Sequence, residues 1–297
     1  MKVLVIGSLG FIGSHCFKYF SSQYETWGAD VVPGYGLPNY FRVDATDASF
    51  DNVFKNTRFD FCINCSGAAN VQESLALPAR DYYLNTFNVF KMLDVMRQHD
   101  SECKFINLSS AAVYGNPASL PVREDQACQP VSPYGFHKFQ ADLLCKEYYD
   151  LFSVSTCVVR IFSAYGPGLK KQIFWDLYQK SQVKSKISLF GTGRESRDFI
   201  YIDDLISAIE KVMFNANFDG SAINVGCGQE IYIEDAVSTF FGQLGWEGEY
   251  VFSDEVRAGD PTRWVADIST LSGLGYEPKV TLDNGLKQYI EWIKNTK

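Results

Sequence analysis

The segment KVLVIGSLGFIGSH, starting at Lys2, constrains the fold more tightly than any other part of the chain. A short apolar run leads straight into Gly7, Gly10 and Gly13, spaced three apart, and an amphipathic stretch begins at about Ile12. So apolar a run suits a strand buried on both faces, the pattern of parallel sheets covered by helices. Lacking β-carbons, the glycines permit a tight strand-to-helix turn and let backbone N–H groups approach a pyrophosphate, which a helix N-terminus also attracts. By itself the triplet fits a plain tight turn as well, so its meaning depends on residues farther along the chain.

The alternation continues. Short apolar runs at TWGAD, YFRVD, FDFCINCSG and KFINLSS are separated by longer amphipathic stretches, one of them a helix expected from about Arg80. This predicts an α/β fold with a doubly wound parallel sheet of the Rossmann type, and further strands at STCVVRIF and SAINVG. From about Tyr165 the pattern loosens into loops rich in Gly, Pro, Arg and Asp, with helices expected in IYIEDAVSTFFGQLG and LDNGLKQYIEWIKN. Residues 1–164 are therefore read as a dinucleotide-binding domain and 165–297 mainly as a smaller, mixed α/β substrate-binding domain. Part of 198–226 is expected to return to the sheet.

With 297 residues, 46% of them hydrophobic, a large core is available. A formal charge of −8 argues against nucleic acid or an anionic membrane as partner, because both reward an excess of Lys and Arg. No run reaches the roughly 18 apolar residues of a membrane span. The opening segment also lacks the small-residue cleavage site of a signal peptide. A soluble, cytoplasmic protein is expected. Cys62 and Cys65 form a CxxC, but positions three apart on a strand face opposite ways, and nothing completes a zinc site. The eight cysteines read as small buried hydrophobes in a reducing compartment, and no metal is expected.

Two later features give the glycine turn its meaning. The second apolar run ends in Asp30, where a carboxylate can accept hydrogen bonds from ribose hydroxyls and would repel a 2′-phosphate. No Arg or Lys lies between Lys18 and Arg42, which favours NAD over NADP. Further on, FINLSSAAVYG ends a strand in hydroxyls at Ser110, and SPYGFHKFQADLL opens a helix with Tyr134 and Lys138 four apart, on one face. A phenol ionises near 10, so a base working near neutrality needs its pKa lowered by about three units, roughly 4 kcal/mol. A lysine ammonium and an oxidised nicotinamide supply positive charge for that shift.

With these residues in place, the chain resembles the extended short-chain dehydrogenase/reductase family, in its nucleotide-sugar epimerase and dehydratase branch. The resemblance runs through GSLGFIG, Asp30, VDATD, CSGAA, Asn85, SSAAVYG, SPYGFHK, RIFSAYGPG, GTGRESRDFIYIDDL and RAGDPTRWVADIS. It implies that Tyr134 is the acid/base, that Lys138 lowers its pKa and holds the nicotinamide ribose, and that Ser110 hydrogen-bonds the reacting hydroxyl. It places Gly7, Gly10, Phe11, Ile12, Gly13 and Asp30 at the cofactor, with Asp44 and Ala45 at its adenine end. Cys65, Ser66 and Ala68 would line its middle, Phe162 the nicotinamide, and Asn85 is the family's structural asparagine. Arg197 and Arg257 match the arginines that clamp a nucleotide diphosphate, for which bidentate guanidinium contacts are suited. The family usually has Asn where Ser163 stands, and Gly-Thr where TFNV follows Asn85, so a diphosphate contact and some cofactor packing differ here.

The neighbours of Ser110 discriminate among reactions. Sugar 4,6-dehydratases of the family carry Asp-Glu directly after the catalytic hydroxyl, because elimination needs an extra acid and base; this chain has Ala111 and Ala112. The 3,5-epimerase/reductases need a Cys two residues after the serine and a downstream His, and no His follows His137. The expected reaction is therefore 4-epimerisation. Tyr134 would take the 4-hydroxyl proton as the C4 hydride passes to tightly held NAD, and hydride would return to the other face of the transient ketone. A 4-keto-sugar reductase or dehydrogenase is the alternative, and an idle dinucleotide-binding regulator a more distant one. UDP is the favoured nucleotide, and a homodimer through a helix pair is implied.

Overall fold

The computed structural model describes residues 1–34, 36–44, 49–255 and 257–296. Its centre is a seven-stranded sheet built from β1 (Lys2–Ile6), β2 (Glu25–Asp30), β3 (Tyr40–Arg42), β4 (Phe61–Asn64), β5 (Lys104–Ser110) and β6 (Thr156–Ile161), with β11 (Asp219–Val225). The order is β11-β6-β5-β4-β1-β2-β3, and every pairing is parallel. The Rossmann expectation is met, and β11, which holds SAINV of the run SAINVG, lies at the edge beside β6. The three minor pairs are β7 (Ser163–Tyr165) with β10 (Phe199–Tyr201), β8 (Lys186–Leu189) with β13 (Glu249–Phe252), and β9 (Ser196–Arg197) with β12 (Ile231–Tyr232).

Strand periodicity sorts the core. Val3 and Val5 of β1 join one buried cluster while Leu4 and Ile6 join another, one on each face of the sheet. The first cluster takes α1 (Phe11–Ser21), through Cys16 and Phe20, and α8 (Ile202–Asn215), and continues to Ile293 near the end of the chain. The second takes α5 (Asn88–His99) and α6 (Pro133–Phe152). Cys62 packs in the second cluster and Cys65 against the first, so the two sulfurs of the CxxC face different cores. Among the described residues no helix is long and apolar enough to cross a membrane.

The helix expected from about Arg80 starts at Pro78 as α4 (Pro78–Tyr82), widens into a π turn at Tyr83–Phe87 and continues as α5; α2 (Asp51–Phe54) and α3 (Val71–Ala76) precede it. Pro78 starts α4, where its missing N–H costs nothing. The later helices are α7 (Gln172–Ser181), α9 (Ile233–Leu244), α10 (Ser269–Gly273) and α11 (Leu282–Asn295).

One buried carboxylate ties the second half of the chain to the sheet. Asp198 accepts the N–H groups of Cys227 at 2.7 Å, Gly228 at 2.9 Å and Ala266 at 3.0 Å. Burial nevertheless pushes its carboxyl up to about 6, with those N–H groups opposing. A folded pKa above the unfolded value of 3.8 means ionisation is opposed by the fold. Its contribution to stability is therefore full below about 4, declines as pH rises, and levels off above about 6. The melting-temperature advantage of the wild type over Asp198→Asn should shrink over that window and stay flat at higher pH.

Candidate active site

The carboxyl ends of the seven parallel strands lie along one edge of the sheet, where a doubly wound fold binds its ligand. Gly7 leaves β1 with φ +77, and a β-carbon there would lie 2.7 Å from the Ser66 nitrogen at the end of β4. A β-carbon on Gly13 would lie 2.0 Å from the Gly7 carbonyl oxygen, and one on Gly10 would lie 3.3 Å from it. The turn is thus folded on itself and on β4 more closely than side chains allow. Asp30, at the end of β2, accepts the Leu9 N–H at 2.9 Å and the Val32 N–H at 3.3 Å. It therefore braces the turn as well as standing at the position expected for ribose. Phe11 and Ile12 open α1 half-buried. Asp44 is exposed just after β3, and Ala45 lies outside the described residues.

Cys65 and Ser66 follow β4, with the Cys65 N–H donated to the Ile6 carbonyl at 2.8 Å and the Ser66 hydroxyl to the Asn64 side chain at 2.6 Å. Ala68 is half-buried beyond them. Asn85, in the π turn, is buried with neither amide atom partnered. It packs on Gly67, whose β-carbon would lie 2.5 Å from the Asn85 Oδ1 and 3.7 Å from the Lys138 Nζ. An orphaned buried amide carries a cost of about 1–3 kcal/mol unless a ligand satisfies it. A glycine cradle that excludes β-carbons, with this amide and a buried lysine beside it, fits a dinucleotide.

The candidate chemistry stands at the ends of β5 and α6. Ser110 closes β5; its Oγ accepts the Ala112 N–H at 3.2 Å, and its hydroxyl pulls the Tyr134 phenol down. The start of α6 is locked in place twice. Ser132 caps the helix through the Gly135 N–H at 3.1 Å, and Ser74 of α3 accepts the Tyr134 N–H at 3.2 Å. Lys138, one turn on, donates from Nζ to the Leu108 carbonyl of β5 at 2.7 Å.

Burial, however, dominates the titration of this pair. It pushes the Tyr134 phenol up to about 12, opposed by the Ser110 hydroxyl, with Asp81 and Asp142 adding to the rise. It also depresses the Lys138 ammonium, which Asp142 and Asp81 pull back up. The lowered phenol expected from the Tyr-x-x-x-Lys spacing is thus not produced by the protein's own groups. A base near neutrality here requires positive charge from a bound ligand.

His137 is held by Asp81, Nδ1 to Oδ2 at 2.6 Å, which ties α6 to α4. His15 meets the Pro167 carbonyl at 2.9 Å, and His99 lies 3.9 Å from Asp51.

On the opposite wall, Arg197 does not pair with its neighbour Asp198, whose oxygens are taken by backbone N–H groups. It donates to the Ser196 carbonyl at 2.8 Å and lies over the Trp264 ring at 5.5 Å. Arg257 is exposed and lies over the Phe190 ring at 4.6 Å. The Asp260 carboxyl is raised by burial and pulled down by the charges of Arg197 and Arg257. Phe162 is buried edge-on to Trp264 at 6.1 Å, and Ser163 donates its N–H to the Asp198 carbonyl at 2.9 Å. Sequence reasoning overlooked Trp264, Phe190 and Ser74. No periodicity marks an aromatic ring under an arginine, and Ser74 sits in an unremarkable QES.

A model of the NAD dependent epimerase/dehydratase family matches residues 3–226, three quarters of the chain. The chain belongs to that family. Along 99% of its length it is 29% identical to a putative UDP-glucose 4-epimerase of Methanocaldococcus jannaschii, covering 98% of that protein. It is 27% identical to the UDP-glucose 4-epimerase of Bacillus subtilis, over 98% of this chain and 96% of the relative. Among solved structures, the UDP-glucuronic acid 4-epimerase of Bacillus cereus, in complex with UDP-glucuronic acid and NAD, superposes with a TM-score of 0.90 at 26% identity, each chain covered in full. The family's cofactor is NAD, so this chain is an NAD-dependent enzyme of the nucleotide-sugar class.

Proposed function

We propose that the protein is a UDP-sugar 4-epimerase. The observation that carries this reading is the packing of Tyr134 against Ala111 and Ala112, with Ser110 the polar group that acts on its phenol. It leaves one proton relay at the sugar and no second acid or base next to it. NAD, when bound, supplies the reversible hydride acceptor for C4. Tyr134 takes the 4-hydroxyl proton, Ser110 orients that hydroxyl, and the same phenol returns the proton to the inverted alcohol. Lys138 holds a positive charge behind the phenol and binds the nicotinamide ribose, while Asn85 meets the cofactor's polar edge. Gly7, Gly10, Gly13, Asp30, Asp44, Ala45, Cys65, Ser66, Ala68 and Phe162 form the rest of that cradle.

The segment from Tyr165 onward supplies the substrate wall in this reading. Arg197 and Arg257 bind the diphosphate, and Ser163 offers a hydroxyl near it. Charge-assisted hydrogen bonds are each worth about 1.5–3 kcal/mol, so Arg197→Met should raise KM for the UDP-sugar by about tenfold to a hundredfold. NAD content should stay unchanged, as mass spectrometry of the nucleotide released on denaturation will show. The protein works in a reducing cytoplasm, in keeping with its eight free thiols. It pairs with a second copy through α5 and α6, whose outer faces expose Phe90, Leu143 and Leu151. The deciding assay is NMR of UDP-glucose, UDP-N-acetylglucosamine and UDP-glucuronate incubated with purified protein and no added nicotinamide. A C4 epimer supports the reading. Turnover only of 4-keto sugars with consumption of NADH would replace it with a reductase.

A further inference from the structure

Directly behind the Tyr134/Lys138 pair lies a buried polar cluster that the proposed reaction does not use. Asp142 follows Lys138 by four residues on α6 and therefore shares its helical face. Its Oδ2 accepts the Arg160 Nε at 3.0 Å, and both side chains are under a tenth exposed. Arg160, on β6, also donates to the Tyr114 hydroxyl at 2.8 Å and the Glu124 carbonyl at 3.2 Å. Tyr114 in turn donates to the Asn224 Oδ1 of β11 at 2.7 Å. The acid is thus pinned through a chain of contacts reaching two strands of the sheet, although burying a charge pair costs more than an apolar packing would.

The charges around Lys138 show what this costly arrangement serves. Desolvation weakens its ammonium, and among the groups acting on it Asp142 is foremost, followed by Asp81 of α4, Cys145 of α6 and Cys65 after β4. Tyr134 faces Ser110, Asp81 and Asp142. Asp81 is itself engaged by His137, and Asp142 by Arg160. Two buried carboxylates therefore balance two cations, Lys138 and Arg160. Removing Asp142 leaves Lys138 with Asp81 alone and takes away the carboxylate that Arg160 pairs with.

We propose that Asp142 is a positioning residue of the reaction: anchored by Arg160, its carboxylate keeps Lys138 an ammonium seated on the Leu108 carbonyl, and so maintains the positive charge beside Tyr134. The inference rests on Tyr134 and Lys138 being the reactive pair.

The test uses NAD-loaded wild type, Asp142→Asn, Asp142→Glu and the double variant Asp142→Asn/Arg160→Met. The double variant avoids stranding a buried guanidinium, and Tyr114 keeps its Asn224 partner. Two readouts are taken. One is the pH profile of kcat/KM on the UDP-sugar that the wild type epimerises. The other, needing no substrate, is tyrosinate absorbance against a Tyr134→Phe reference. Without the Asp142 charge Lys138 deprotonates earlier and the Tyr134 phenolate is favoured. Both limbs of the profile, and the tyrosinate titration, should then move to lower pH, the alkaline limb by about one unit. Activity above pH 9 should fall about tenfold, with Asp142→Glu close to wild type.

Unmoved limbs in the folded Asn or double variant would overturn the proposal, as would Asp142→Glu losing activity with its profile unchanged. Failure of both the Asn and double variants to fold would assign the pair to stability alone and overturn it too. Full activity in Tyr134→Phe would strike the underlying pair instead, a result separable from all of these.

Discussion

Tyr134→Phe should lower kcat on a UDP-sugar by about a hundredfold to ten-thousandfold, the usual worth of a positioned acid/base group. The substitution removes only the hydroxyl. The ring stays in an apolar cluster with Ala111, Ala112, Val113, Phe162 and Trp264, so melting temperature should change little. Ser110 retains the Ala112 N–H as a partner, so no buried hydroxyl is stranded. NAD content should also persist, because the glycine turn and Lys138 are untouched. The sign of the pH dependence comes from the environment. Burial raises the phenol, so the active phenolate is scarce at low pH, and wild-type kcat/KM should climb with pH until ligand charge has ionised it. The variant should lose that rising limb. NMR rates of C4 inversion between pH 6 and 9 check both statements; activity within a few-fold of wild type would remove Tyr134 from the mechanism.

Gly13→Ala is expected to destabilise the fold and empty the cofactor site together. Its β-carbon would lie 2.0 Å from the Gly7 carbonyl oxygen and 3.1 Å from the Ser8 Cα, both backbone atoms that no rotamer change can move. α1 must then retreat from the turn it caps. Overpacking of this kind costs about 1–3 kcal/mol, and here it also opens the cradle meant for the pyrophosphate. A lower melting temperature and loss of NAD on gel filtration should occur together. Gly10→Ala is the internal control, since its β-carbon would meet only the Gly7 oxygen, at 3.3 Å. It should retain most of its NAD. Equal damage from the two would show that helix propensity, not close approach, makes glycine necessary here.

Much of the site was legible because its parts are local. The turn at Gly7, the end of β2 at Asp30, and the four-residue step from Tyr134 to Lys138 each depend on neighbours within one element or one turn. The π turn at Tyr83–Phe87, inside the helix that runs from Pro78 to His99, was not, because amphipathic periodicity alone reads that stretch as one regular helix. Periodicity records which face is buried; it does not record a change of axis.

The titration of the site was misread for a different reason. The Tyr134/Lys138 spacing fixes that the two share a face, yet the desolvation that pushes the phenol up to about 12 comes from everything packed around it. Arg160 and Asp142 lie 18 residues apart, and Arg197 lies on a tryptophan 67 positions away; only packing joins them.

The sequence by itself thus determined the parallel sheet, the glycine turn and the shared face of Tyr134 and Lys138, since strand and helix periods set neighbours within an element. The tertiary structure decided which charges are buried together, which arginine rests on which ring, and what Asp142 faces. Those are contacts between elements, and burial and charge act through space rather than along the chain.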